Sequence, residues 1–174
     1  MTSLSMDALT LTHTAISLLA ILAGFVVLAQ MLKNSMSSGW TGFFLATTLL
    51  TTVTGFVFFA PPNPPTRAQL TGVVTLIALV PTLYGLYVQH LVGAWRLTYV
   101  IGAVIVLYLN MVALVAQLFL KVPPLQALAG NPPAGPAFGA AQLALLLAFV
   151  FIGWRASKTF RPLVALAITP SSQS

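Results

Sequence analysis

The sequence predicts an all-α integral membrane protein, a helical bundle of five transmembrane helices that forms a single domain over residues 1–174. Of the 174 residues, 59% are hydrophobic and 5% are charged, and the mean hydropathy is +1.00. Soluble domains carry about 25% charged residues, so a soluble fold of this length would expose a large apolar surface to water. Five apolar stretches of about 20 residues, the length that crosses a bilayer core of about 30 Å as a helix, account for the composition.

The first three spans end at connections through which a helix does not continue. The first span covers 11–32 and ends before KNSMSSGW. The second covers 41–60 and ends before PPNPPTR, whose prolines cannot continue a helix. The third covers 68–89 and contains Pro81, which predicts a kink. It ends at HLVGAWR, a connection short enough for antiparallel neighbours.

The fourth and fifth spans flank the longest connection, the proline- and glycine-rich KVPPLQALAGNPPAGP. The fourth span covers 97–120, the fifth covers 135–154, and residues 159–174 are predicted to form a short cytoplasmic tail. All five stretches are continuously apolar, whereas the strands of a membrane β-barrel alternate, so helices are favoured. The N-terminus lacks the positive start of a signal peptide, and we expect the first span to stay in the mature protein.

The basic residues predict the orientation. With the N-terminus outside, five of the seven basic residues lie on the inner side: Lys33, Arg96, Arg155, Lys158 and Arg161. Two lie on the outer side: Arg67 and Lys121. This distribution obeys the positive-inside rule, and the reverse orientation violates it. The sequence therefore predicts a protein of the bacterial inner membrane with its N-terminus outside and its C-terminus in the cytoplasm.

The three tryptophans support this orientation. Trp40, Trp95 and Trp154 all fall at the predicted inner interface, where amphipathic rings are enriched. They belong to three separate connections, so their agreement is independent support for a count of five spans. We interpret the tryptophans and Arg96 as interface anchors.

Polar side chains within the spans are candidates for helix packing or for ligand binding. The second span is rich in threonine and includes Thr48 and Thr51, while Asn110 and Gln117 share a face of the fourth span. Asn110 lies near mid-membrane, where an unpaired amide is costly. We expect it to point into the bundle and to bond Thr48, Thr51 or Thr75. These residues either fix the helix register or bind a polar group of a lipid, a quinone or a substrate.

The two histidines are further candidate ligand residues. His13 shares a helix face with Ser17, Ala20 and Gly24, which predicts packing into the bundle and an interfacial hydrogen bond for His13. His90 is expected to cap the end of the third helix, with ligand binding as the alternative. About 20 residues of helix, roughly 30 Å, separate the two membrane levels, so one haem iron cannot take both histidines. Haem bound by a single histidine, or shared with another chain, stays open.

Composition excludes several kinds of chemistry. The absence of cysteine excludes disulfides, thiol catalysis and thiolate metal sites. Asp7 is the single acid, so a catalytic pair of carboxylates cannot form. No nucleotide-binding, metalloprotease or hydrolase motif occurs, and no metal site is predicted. No charged residue falls within a span, which argues against an ion-coupled transporter. The scattered basic residues do not form a nucleic-acid-binding patch.

The chain resembles small multi-pass membrane proteins of bacteria in LTHTAISLLAILAGFVVL, TTVTGFVF, HLVGAWRLTYVIGAVIVLYLN and LVAQLFLKVPPLQALA. This resemblance implies a multi-pass membrane protein and no particular activity. The pattern H-x-x-G-x-x-R, from His90 to Arg96, is also similar to the helix ends of several uncharacterised or b-type haem membrane families. That second resemblance carries over no functional residue.

These observations favour a non-enzymatic protein, either a structural or accessory subunit or a lipid- or quinone-binding module of a larger membrane assembly. The expected partners are the lipid bilayer, other membrane subunits or further copies of the chain, and not nucleic acid. The first alternative is a small transporter or channel for a neutral or weakly polar substrate. The second is an electron-transfer subunit associated with haem or quinone. The residues define no cofactor.

Overall fold

A computed structural model shows a helical bundle. It describes the backbone of residues 3–58 and 67–161 and the side chains of residues 8–56 and 69–161. Of the residues with a described backbone, 87% are helical and none lies in a strand. The predicted all-α class is confirmed.

Six helices and one π-helical turn follow one another along the described ranges. They are α1 (Ser3–Leu32), α2 (Ser38–Phe58), α3 (Arg67–Leu83), the π-helical turn (Tyr84–Val88), α4 (Ala94–Lys121), α5 (Pro123–Ala129) and α6 (Pro136–Thr159). Four stretches are long and apolar enough to cross a membrane: Ala8–Leu32, Gln69–Val88, Ala94–Lys121 and Pro136–Thr159. The chain is therefore a membrane protein. α2 is not one of the four within the described side chains, which include its residues 38–56 and not its last two residues.

The helix ends differ from the predicted spans for local reasons. α1 begins at Ser3 and not near residue 11, because no glycine or proline interrupts the first 23 residues. α6 continues to Thr159 and not to 154, since a helix can extend beyond the apolar core of a bilayer. It stops shortly before Arg161, whose conformation the following proline restricts. Residues 59–60 of the predicted second span and residues 162–174 of the predicted tail lie outside the described residues.

The connection between the fourth and fifth spans contains a short helix that the sequence analysis missed. α5 begins with Pro123 and Pro124 in its first turn, where a proline ring fits a helix and its missing N–H costs nothing. Gly130 follows its end, and the φ of +76° at this position favours glycine. Proline at the start and glycine after the end are a sequence pattern that indicates a helix here.

α4 is central to the bundle. Each long helix packs on the next one in the chain, with α4 also contacting α1, and α6 packs on both α4 and α1. The core lies where α1, α2 and α4 meet. A Cβ atom at Gly24 would lie 2.5 Å from Leu107 Cδ1 and 2.8 Å from Phe44 Cε2, so the close approach of these helices requires glycine.

The irregularity that Pro81 predicts is located just after it. Proline lacks the N–H that would pair with the carbonyl of Ile77. Within the next turns the helix changes to π-helical pitch, and the N–H of Gln89 donates to the carbonyl of Tyr84, five residues back, at 3.0 Å. The hydroxyl of the buried Thr82 donates to the carbonyl of Ala78 at 2.7 Å.

Candidate functional site

Asn110 and Thr48 form a polar contact in the middle of the bundle. Asn110 lies near the midpoint of α4 and Thr48 near the midpoint of α2, and Nδ2 of Asn110 donates to Oγ1 of Thr48 at 3.2 Å. Thr48 is fully buried and Asn110 is partly buried. The expectation that Asn110 points into the bundle and bonds a threonine of similar depth is confirmed.

The neighbouring threonine hydroxyls of α2 are used mainly within their own helix. Thr47 donates to the carbonyl of Phe43 at 2.7 Å, and Thr52 donates to the carbonyl of Thr48 at 2.9 Å. Oγ1 of Thr51 is buried and has no hydrogen-bond partner among the described residues. Bonds to the preceding turn satisfy hydroxyls in apolar surroundings. The threonines thus leave their methyl groups for helix packing.

Gln117 lies away from the contact between Asn110 and Thr48. It lies two turns beyond Asn110 on α4 and is exposed. Gln142 of α6, which the sequence analysis did not single out, approaches α4 instead. Its Nε2 donates to the carbonyl of Val112 at 3.4 Å, and its Oε1 is buried without a partner in the described part of the chain. An amide inside the predicted fifth span was the signal for this contact.

Replacing Asn110 with leucine is expected to lower the free energy of unfolding by about 0.6 kcal/mol, a typical value for an interhelical hydrogen bond in a membrane. Unfolding of the purified protein by sodium dodecyl sulfate in mixed micelles measures this change. Thr48→Val should have a similar effect, and the double variant should lose little more than either single one. The exposed Gln117→Leu is the control. Additive losses for Asn110 and Thr48 would contradict a stabilising contact.

His13 makes a hydrogen bond to α2. Its Nδ1 lies 3.0 Å from Oγ1 of Thr54. The Thr54 hydroxyl donates its single hydrogen to the carbonyl of Leu50 at 2.8 Å, so it accepts from the Nδ1–H of His13. The face that continues from His13 packs inward, since Ala20 and Gly24 are buried.

The turn that holds His90 is built from left-handed backbone conformations. The φ angles are +48° at His90, +61° at Leu91 and +56° at Gly93. The N–H of Leu91 donates to the carbonyl of Gly85 at 3.0 Å and closes the helix end. Histidine is one of the few residue types enriched at positive φ. The His90 side chain is exposed and forms no hydrogen bond with the described residues, so the backbone ends this helix and the expected imidazole cap does not.

The two histidines lie at opposite ends of the bundle. His13 contacts Thr54 near the end of α2. His90 follows Tyr87, whose hydroxyl lies beside Gly42 near the start of α2, 3.7 Å from the position of a Cβ there. Twelve residues of helix separate Gly42 from Thr54, about 18 Å at 1.5 Å per residue. One haem iron therefore cannot bind both histidines of one chain.

Arg96 links the start of α4 to the end of α6 through hydrogen bonds. Its Nη1 donates to the carbonyl of Ser157 at 3.1 Å and to the carbonyl of Phe160. Carbonyl groups at the end of a helix lack helical partners and carry the negative end of its dipole, so a guanidinium group is favoured there. Arg96, predicted as an interface anchor, is also a helix cap. Local sequence could not show this role, because Arg96 and Ser157 are 61 positions apart.

A second link joins α6 to the loop after α1. The backbone N–H of Arg161 donates to Oδ1 of Asn34 at 2.6 Å. Phe160 is fully buried, and its ring lies 5.9 Å from that of Tyr99 on α4. The end of α1, the start of α4 and the end of α6 thus meet at one end of the bundle. Five basic residues gather there: Lys33, Arg96, Arg155, Lys158 and Arg161. We call this region the basic end.

The three tryptophans lie at the same end. Trp95 is partly buried and packs edge-to-face on Tyr84, with ring centroids 5.0 Å apart. Trp40 near the start of α2 and Trp154 near the end of α6 are exposed on the apolar surface. This arrangement is typical of an aromatic belt at a membrane interface.

An open apolar groove of about 290 Å³ runs between α4 and α6. We call it the α4–α6 groove. Its main walls are Ile101, Ile105 and Tyr108 of α4 and Leu146, Val150 and Trp154 of α6. Ser157 lines the groove near the basic end. At Gly153 the two helices approach closely, since a Cβ atom there would lie 3.2 Å from Val104 Cγ1.

Within the described residues, no three His, Asp or Glu side chains lie close enough together to hold a metal ion.

No protein-family model matches the chain, and no curated protein and no solved structure is detectably similar to it.

Proposed function

We propose that the protein is a non-enzymatic accessory or structural subunit of a bacterial inner-membrane assembly, and that α6 is the helix that contacts its partner. The observation that carries the proposal is the poor coverage of α6. Only 6% of its most apolar segment is buried, against 28–39% in the other three membrane-spanning candidates among the described residues. A peripheral helix of this kind is suited to packing against a helix of another subunit.

The proposal includes a topology of five spans. α2 has 21 residues and is therefore about 32 Å long, which matches a bilayer core of about 30 Å. It packs along α1, and its midpoint bonds Asn110 near the midpoint of α4. Two helices that share a midpoint contact lie at the same membrane depth. The basic end then faces the cytoplasm by the positive-inside rule, with the N-terminus outside.

The exposed side of α6 has the composition of a helix-packing surface. Ala140, Ala144 and Ala148 are four residues apart and all exposed. Leucine side chains at 143 and 147 flank this alanine row and are more than half exposed. Small residues at a spacing of four let the backbone of another helix approach closely, which is the usual basis of helix association in lipid.

The polar contact inside the bundle also supports a structural role. The amide of Asn110 is engaged by Thr48, and the hydroxyls of Thr47 and Thr52 are bonded within α2. The bond between Asn110 and Thr48 links α4 to α2, and the other two hydroxyls are satisfied within α2. The chain has one acid and no cysteine, so it brings few groups for catalysis.

Replacing Ala144 with leucine is expected to release the protein from its assembly, because the longer side chain keeps a partner helix from close approach. The protein is purified from native membranes in mild detergent and its size is measured by native electrophoresis. The unaltered chain should migrate as a complex, and the variant should shift toward the 18.4 kDa monomer. Ala113→Leu, at an exposed alanine of α4, should change nothing. An unaltered chain that is monomeric, with no co-purifying protein, contradicts the proposal.

A further inference from the structure

We propose that the α4–α6 groove binds one acyl chain of an anionic phospholipid, whose phosphate group lies at Arg96 and Lys158. The groove is open, apolar and bounded by side chains that face the lipid, including Ile105 and Val150. These properties fit a hydrocarbon chain. The inference rests on the proposed transmembrane topology and not on the docking of a partner.

Arg96 provides a positive charge at one end of the groove. Its Nη1 bonds the carbonyl of Ser157, and the same residue lines the groove. The contact holds the guanidinium group at the groove's end. Both hydrogen bonds of Arg96 to the described residues use Nη1, so Nη2 and Nε are left to donate to a phosphate oxygen. Guanidinium groups bind phosphate well because their donors match its geometry.

Lys158 adds a second charge beside the same end. It lies four residues after Trp154, which lines the groove, and both side chains are exposed. Residues four apart are neighbours on a helix face. Trp154 also marks the level of the lipid headgroups, where indole rings prefer to lie. The long side chain of Lys158 can therefore reach a headgroup whose acyl chain occupies the groove.

The charge of this region selects an anionic headgroup. Five basic residues gather at the basic end, and the only acid of the chain, Asp7, lies in the sequence near the beginning of α1 and not at this end. Basic pockets between transmembrane helices are typical sites for anionic lipids. Gly153 in the groove and Ala144 in the alanine row are nine positions apart, half a turn of the helix wheel, so the alanine row lies opposite the part of α6 that closely approaches α4.

Fluorescence quenching in vesicles tests the proposal. A variant with Trp40→Phe and Trp95→Phe keeps Trp154 as its only tryptophan. It is reconstituted with phosphatidylglycerol or phosphatidylcholine brominated on the acyl chains, in a background of unbrominated phosphatidylcholine. A basic side chain near an anionic surface contributes a preference of about fivefold. Arg96 and Lys158 both contribute, so we expect the anionic lipid to quench Trp154 at a membrane fraction about 25-fold lower than phosphatidylcholine does.

Substitutions separate the groove from general surface charge. Lys158→Gln should reduce the anionic preference about fivefold, and Arg96→Gln should reduce it further. Arg155→Gln, which removes the same charge from the adjacent row of α6, is the matched control and should leave the preference unchanged. Ile105→Phe fills the groove and should bring the preference near one, while Val80→Phe on the exposed surface of α3 should not.

Four outcomes would overturn the proposal. Equal quenching by the two lipids would remove the anionic selectivity, and a preference that survives Ile105→Phe would place the lipid outside the groove. Protection of Trp154 from both lipids would mean that another helix occupies the groove, and stronger quenching by a long-chain quinone would make a quinone its occupant. Because these measurements use the purified chain, they are independent of whether a partner docks on the alanine row.

Discussion

Replacing Gly102 with alanine is expected to lower the free energy of unfolding by about 3 kcal/mol, the upper part of the usual range for an overpacked core. Gly102 lies where α4 crosses α3. A Cβ atom there would overlap Oγ1 of Thr82 and would lie 3.1 Å from the Cβ of Thr82 and 3.5 Å from the carbonyl oxygen of Ala78. Thr82 is fully buried and bonded to the same carbonyl, so neither group can move away without separating the helices.

Detergent unfolding, followed by circular dichroism, measures the loss. Thr82→Ala removes the overlapping oxygen, and the Gly102→Ala and Thr82→Ala double variant should therefore lose less stability than the sum of the two single variants. Gly139→Ala is the control, since no atom lies within 4 Å of its added Cβ. If Gly102→Ala is as stable as Gly139→Ala, the close crossing of α3 and α4 is wrong.

Replacing Arg96 with glutamine should detach the end of α6 and cost about 1.5–3 kcal/mol, the usual contribution of a hydrogen bond from a charged group. The carbonyls of Ser157 and Phe160 would lose their donor. Hydrogen exchange measures the effect at the amides of residues 155–160, which should exchange faster while those in the middle of α4 do not. Arg155→Gln removes an exposed charge nearby and should leave exchange unchanged. Equal protection in the Arg96 and Arg155 variants would contradict the capping role.

The sequence was sufficient for the fold class and for most helix positions, because continuous apolar stretches and proline-rich connections are strong local signals. It was also sufficient for the inward direction of Asn110, since burying an unpaired amide is costly at any position in lipid. α5 was missed because it is short and lies in a segment whose high proline and glycine content indicated a connection without a helix. The ends of α1 and α6 were misplaced because hydropathy marks the membrane and not the helix.

The contacts of the candidate site could be predicted from the sequence only in part. The second role of Arg96 depends on a contact with Ser157, and the α4–α6 groove depends on how two helices with a seven-residue helix between them come to lie side by side. Neither follows from spacing along the chain. At His90 the prediction assigned the capping role to the side chain. The side chain is exposed, and the backbone of His90, with a φ of +48°, forms the turn that ends the helix.

The link between Asn34 and Arg161 has a consequence for the order of events during synthesis. It joins residues 127 positions apart, and Arg161 is synthesised after Asn34 and after α1 to α4. α1 to α4 are complete and able to pack before the ribosome has produced α6, so α6 joins the bundle after them. Until then, the surfaces of α1 and α4 that α6 later covers face the surrounding membrane. A protein that assists insertion has its access to these surfaces in that interval.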